Sequence, residues 1–203
     1  MKLRLTRVGV IDRGILNLRL KMILKENKLT KDTSLSSIIV PLRYDIIIRE
    51  NFISFYLKNK DMYGKDFDMF VKKSFNELFY DYFKIRIAVY RPKLLKDKDF
   101  LNKEYKKYIK NFISLFENIK NKGFDANFPV TLHRSIFSSK LYMGDGCHRI
   151  ACLKFLGYKF LPKEYGKIII SIFHKPKNNT LLLLKMSLIS KKTYNNFINK
   201  NEI

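Results

Sequence analysis

Leu141-Tyr-Met-Gly-Asp-Gly-Cys-His-Arg-Ile-Ala-Cys-Leu-Lys-Phe-Leu-Gly157 joins a short apolar strand, a Gly-Asp-Gly turn and an apolar helix within seventeen residues. Glycine on either side of Asp145 lets the backbone turn sharply and approach a ligand closely. The helix that follows offers unpaired N–H groups and a partial positive charge at its first turn, and His148 and Arg149 fall on that turn. This is an arrangement suited to an anion, and a phosphate would fit it. Gly157 stands where a left-handed residue closes a helix.

Working outward, the segment before the turn reads as two strands, Phe128–His133 and Lys140–Met143, and the segment after it as a helix over His148–Leu156 and a strand over Lys167–Phe173. Upstream, Tyr105, Tyr108, Ile109, Phe112, Ile113, Phe116 and Ile119 form a continuous apolar stripe, which predicts a helix over Phe100–Lys120 closed by Gly123. Phe67, Phe70, Val71, Phe75, Leu78 and Phe79 predict a second amphipathic helix, with Gly64 interrupting the chain before it. A further helix is expected over Asp45–Lys58. Pro41 makes the stretch from Ile38 to Asp45 extended before it turns. Ile85–Tyr90 alternates weakly and stops at Arg91-Pro92, so it reads as a short strand. Leu16, Leu18, Leu20, Ile23 and Leu24 suit a short helix ended by the polar run Lys25–Thr33, and Leu181–Asn199 reads as a helical tail.

The chain has 203 residues, and its 46% hydrophobic and 14% aromatic content excludes a disordered protein and supports a sizeable core. No apolar run approaches the ~20 residues that span a bilayer. The start alternates charged and apolar residues and lacks the uninterrupted apolar region of a secretory signal, so a cytoplasmic protein is expected. Two cysteines, Cys147 and Cys152, lie about 140° apart around a helix and cannot readily bridge each other. Neither a disulfide framework nor a structural zinc site is supported, and free thiols are expected. The formal charge of +23 would attract nucleic acid, anionic lipid or phosphorylated ligands. Its lysines are nevertheless scattered through a chain equally rich in Asn, Ile and Tyr, as solvated faces of a biased composition would be.

With its Asn-Phe-Pro-Val strand, its Gly-Asp-Gly-Cys-His-Arg turn, its helix capped by Leu-Gly and the following Leu-Pro and strand, the run Gly123–Ile170 resembles the ParB/sulfiredoxin-like superfamily. That superfamily includes chromosome-partitioning CTPases, ATP-dependent sulfiredoxins and free serine kinases. The likeness covers about a quarter of the chain. It implies an α+β fold with a small mixed sheet, in which residues 96–203 form the nucleotide-binding core with a helical tail and residues 1–95 a mainly helical extension. It also implies ATP or ADP and Mg2+ as cofactors, with phosphates at Gly144, Gly146, Cys147, His148 and Arg149. Asp-Gly-x-His-Arg is the form found in the free serine kinases, so a phosphotransferase acting on a small hydroxylated substrate is the leading expectation. Two alternatives stand beside it: a ParB-like nucleotide-switched protein with nucleic acid as partner, and a sulfiredoxin-like, ATP-dependent repair of oxidised cysteine. The arginine box of the partitioning proteins is absent, and Asp145 replaces a glycine of the sulfiredoxin motif.

The residues themselves allow separate roles. Arg149 offers a planar fork of donors, His148 a donor to a phosphoryl oxygen, and Asp145 a ligand for magnesium or an acceptor for a hydroxyl. Asp and Gly before a helix also make an ordinary cap. Cys147, at a helix start beside arginine, has the setting that lowers a thiol pKa, whereas Cys152 among Ile150, Ala151, Leu153 and Phe155 reads as a buried small hydrophobe. The catalytic glutamate that the serine kinases carry after a proline is missing, since Pro92 is followed by Lys93-Leu-Leu-Lys96. Asp45 and Glu104 are the candidate general bases, and each also stands near a helix start, where acids cap or face the helix dipole.

Overall fold

A computed structural model of the chain describes residues 23–38, 43–171 and 179–199. In order, these form β1 (Ile23–Lys28), β2 (Thr33–Ser34), α1 (Leu35–Ile38), α2 (Asp45–Lys58), α3 (Lys60–Lys65), α4 (Phe67–Ser74), α5 (Leu78–Tyr90), a 3-10 turn (Pro92–Lys96) and α6 (Lys98–Lys122). There follow β3 (Val130–Ser135), β4 (Tyr142–Asp145), α7 (Cys147–Phe155), β5 (Phe160–Leu161), a second 3-10 turn (Lys163–Tyr165), β6 (Gly166–Ser171), α8 (Asn179–Lys185) and α9 (Lys191–Asn199). The protein is a mixed α+β fold.

Four strands form one mixed sheet in the order β1-β6-β3-β4, with β3 and β6 parallel and the two outer pairs antiparallel. The parallel pair needs a crossover, which β4, α7 and β5 supply. Val130 and Leu132 alternate inward on β3 and Met143 does so on β4, so one face of the sheet meets the helices. On α7, Ile150, Ala151, Cys152 and Leu153 are all buried, because that helix is enclosed on several sides. Its neighbours are α2, through Lys154 Nζ and Glu50 Oε2 at 3.0 Å, and α6, through the rings of Phe116 and Phe155 with centroids 5.7 Å apart.

The long helix α6 begins where the Asp97 carboxylate accepts from the Phe100 N–H at 2.9 Å and ends at Gly123, whose φ of 79° lies in the left-handed region. Leu101, Tyr105, Ile109, Phe112, Ile113, Phe116 and Ile119 form its buried stripe. Stacked aromatics tie the helices together: Phe52 of α2 lies 4.0 Å from Phe79 of α5, which lies 5.4 Å from Phe112 of α6. That stack continues to His148, whose ring centroid is 5.0 Å from that of Phe112.

Several expectations are corrected. Ile85–Tyr90 is not a strand but the end of α5, where Ile85 is buried; the helix stops because the residue before Pro92 is pushed out of helical geometry. Gly64 lies within α3, and the break falls at Asp66, whose carboxylate caps Met69 N–H at 2.9 Å. The helix read across Phe67–Phe79 is two helices, parted by the turn at residues 75–77. Ile23–Lys28 is extended rather than the end of a helix, because β6 has a free edge that it fills; an edge strand covered on one side can be polar. The rest of the helix expected around Leu16–Leu20 lies outside the described residues, as does the stretch around Pro41; Ile38 itself ends α1. The tail is helical in two pieces, broken near Ser187 at φ 57°.

Gly144 is required sterically. A Cβ there would lie 2.4 Å from the His133 ring and 2.9 Å from the Thr131 carbonyl oxygen across the hairpin. Gly144→Ala should therefore destabilise the protein by about 1–3 kcal/mol through overpacking, measured as a lowered urea midpoint with unchanged slope.

Candidate functional site

The first α7 hydrogen bond runs from the Ile150 N–H to the Gly146 carbonyl at 3.0 Å, so the N–H groups of Cys147, His148 and Arg149 have no acceptor within the helix. Gly146, at φ 96°, makes the turn that exposes them; a side chain there would be strained and would press on Val130.

Beneath this turn lies a polar network that links α2, α5, α6 and α7. Asp45 is fully buried at the start of α2. Arg43 Nε and Nη2 donate to its two oxygens at 2.8 and 2.9 Å, and Arg49 Nη1 donates to Oδ2 at 2.6 Å and to the Asp45 carbonyl at 2.6 Å. Tyr82 donates to the same Oδ2 at 3.3 Å and receives Arg49 Nη2 at 3.3 Å. Arg43 Nη2 also donates to Cys147 Sγ, which brings the clamp to the first residue of α7. On the other side Arg86 Nη1 donates to Tyr108 Oη at 2.9 Å, and Tyr108 Oη lies 2.9 Å from His148 Nε2. With its oxygen receiving Arg86, Tyr108 is assigned as donor to Nε2, which leaves the imidazole proton on Nδ1.

Burial alone would raise the Asp45 carboxyl, but Arg49 and Arg43 hold it far below the usual carboxylate range. It is therefore a fixed anion, with both oxygens occupied, and has no capacity to act as a general base. His148 keeps only a little exposed surface; loss of water around the ring, with Arg49 and Arg86 close by, holds its pKa well below the ordinary value of 6.5. It is neutral. Among the described residues the network thus sets the buried guanidiniums of Arg43 and Arg49 against the single Asp45 carboxylate, with the half-buried Arg86 beside Tyr108, leaving positive charge in excess. Among the described residues the buried Arg49 Nε moreover has no hydrogen-bond partner. Buried charge without a counter-charge is costly, so a bound anion would lower the energy of this arrangement.

The other expected residues divide. Asp145 ends β4 with its side chain 85% exposed, and its Oδ1 accepts from the Gly146 N–H at 2.7 Å. Arg149 is not a free fork: Nη1 donates to the carbonyls of Phe128 and Pro129, while Nη2 stands 3.9 Å from Asp145 Oδ2. Glu104 is partly exposed, one helical turn before Tyr108 on α6. Because α6 and α7 run alongside each other, with Tyr108 at His148 and Phe116 at Phe155, that turn lies beyond the start of α7. Cys152 is buried and its thiol is pushed up to about 12 by burial. Among the described residues no three His, Cys, Asp or Glu side chains group as a metal site, and no helix is long and apolar enough to cross a membrane.

Sequence patterns alone do not assign Arg43, Arg49, Tyr82, Arg86 and Tyr108 to this site. Arg49 carries a signal, standing four residues after Asp45 on a helix face otherwise made of Ile46, Ile53 and Phe52. Comparison with protein-family models, with curated proteins and with solved structures finds no match to this chain.

Two outcomes are expected. Asp45→Ala, which leaves buried arginines unpaired, should cost about 3–5 kcal/mol in urea unfolding, and Asp45→Leu combined with Arg49→Met should recover much of that loss. For His148 the folded pKa is depressed, so below about pH 6.5 the unfolded chain takes up a proton that the folded one refuses. Stability should fall on acidification below that point by up to about 1.4 kcal/mol per pH unit, and His148→Gln should flatten that part of the profile.

Proposed function

We propose that the protein is a nucleotide-dependent phosphotransferase that moves a phosphoryl group to the hydroxyl of a small acceptor such as an amino acid or a sugar derivative. The observation that carries this reading is the surplus of buried arginine charge beneath the glycine-flanked start of α7. Phosphoryl transfer asks chiefly for positioning and for neutralisation of charge on the transferring group, and helix N–H groups backed by Arg43, Arg49 and Arg86 supply both. The likeness of Asp-Gly-x-His-Arg to the ParB/sulfiredoxin-like superfamily supports the same reading.

Each residue has a defined task. The N–H groups at the start of α7 hold the phosphates, and His148 donates from Nδ1 while Tyr108 fixes its ring. A magnesium ion, when bound, would supply neutralisation of phosphate charge; Asp145, exposed at the mouth of the turn, would hold it. A single carboxylate suffices for magnesium, which keeps its waters and takes its other ligands from phosphate. With Asp45 locked between arginines, Glu104 is the carboxylate left to receive the acceptor's proton.

Protein incubated with nucleotide, magnesium and a panel of hydroxyl compounds that includes free serine should consume nucleotide only with the right acceptor. Asp145→Asn should lower turnover by at least 100-fold, and Glu104→Gln by about 10²–10⁴-fold. No turnover across the panel refutes the proposal. A second reading, repair of oxidised cysteine by a thiol mechanism, draws on the Arg43 contact to Cys147 Sγ. It requires an alkylation midpoint for Cys147 well below about 8.5, and full phosphotransfer in Cys147→Ser would set it aside.

A further inference from the structure

A cavity of about 650 Å³ opens between the C-terminal end of α6 and the loop that leads into β3. Leu115, Ile119, Phe124 and Phe128 line it, and Asn118 places an amide on its wall. Its volume falls in the range of sites for ligands of nucleoside size, and its makeup, apolar and aromatic with a few polar groups, is that of a small-molecule pocket. Phe124 is buried and braced by Tyr165, whose ring stacks on it at 4.4 Å. Phe128 is by contrast 66% exposed, a large aromatic ring left in water at the edge of a cavity. Lys122 and Asp125 also line it and oppose each other in charge, and the third charged residue of the lining, Arg149, is engaged by backbone carbonyls.

The cavity is joined to the α7 turn by one residue. Arg149 lines the cavity, donates to the Phe128 and Pro129 carbonyls of its wall, and reaches toward Asp145 at the end of β4. A ligand with an anionic end at the α7 N-terminus and a flat, uncharged end would find a surface for each part on either side of this side chain.

We infer that this cavity takes the base and sugar of the nucleotide, with the base stacked on Phe128 and its hydrogen-bonding edge read by the Asn118 amide; the inference rests on the reading of the α7 turn as the phosphate site. An aromatic face accepts any base, and an amide carries both a donor and an acceptor for the edge of one. Discrimination among bases then resides in Asn118 and general affinity in Phe128.

The test is calorimetric titration of the full chain, with magnesium, using ATP, GTP, CTP, UTP and inorganic triphosphate as probes. Phe128 is exposed and Asn118 lies on the helix surface, so Phe128→Ala and Asn118→Leu leave the core intact, and thermal melting checks this. The wild type should bind at least one nucleotide more tightly than triphosphate. Phe128→Ala should weaken that nucleotide about 10-fold or more while triphosphate stays within about 2-fold, and Asn118→Leu should reduce the preference among the four bases. If both variants bind every nucleotide as the wild type does while triphosphate still binds, the base sits elsewhere and the phosphate reading survives alone. Equal loss of nucleotide and triphosphate in a variant with unchanged melting also overturns the inference. Failure of the wild type to bind any of the five probes removes both readings together.

Discussion

The clamp of Arg43 and Arg49 on the Asp45 carboxylate is the interaction on which the rest of this structure depends. It sits at the start of α2, ties that helix to Tyr82 of α5, and reaches Cys147 at the start of α7. A fully buried carboxylate is tolerated only with its oxygens satisfied, and four donor groups converge here to satisfy them. The clamp also brings in more positive charge than it neutralises. Asp45 answers one guanidinium, Arg86 adds a third across Tyr108, and His148 stays neutral in their company. The protein therefore builds a positive field into its interior and presents it beneath helix N–H groups that already favour an anion.

The aromatic stack explains how such a network can be held without strain on its geometry. Phe52, Phe79 and Phe112 lock α2, α5 and α6 together directly below it, and Phe112 meets the His148 ring. Apart from Arg43, which precedes α2, each polar side chain of the network thus springs from a helix that is packed into the core. Such second supports keep donors within the narrow range of positions that charge stabilisation requires.

Part of this architecture is legible in the sequence because its signals are local. The α6 stripe repeats over seven buried positions with a cap at either end, and its span is readable to within two residues at each end. The turn between Gly144 and Gly146 is equally clear, because glycine, aspartate and a following apolar run each limit the backbone in the same direction. The site's second half is not legible, since Arg43, Arg49, Arg86 and Tyr108 join α7 only through tertiary packing across as many as 104 residues of chain. Asp45 illustrates the difference: an acid at a helix start looks like a cap or a base, and only its burial between two arginines reveals a fixed counter-ion. Ile85–Tyr90 misleads for the opposite reason, as a run of β-branched and aromatic residues favours a strand until packing in α5 overrides it. At β1 the edge position allows a polar sequence that carries no strand signal.

The start of α7, backed by surplus buried arginine charge, has the makeup of an anion site. Backbone amide shifts recorded while inorganic triphosphate is titrated into the protein test it most directly. Saturable shifts concentrated at the amides of Cys147, His148 and Arg149 are expected. Shifts spread over the surface lysines, with those three amides unmoved, would contradict an anion site there.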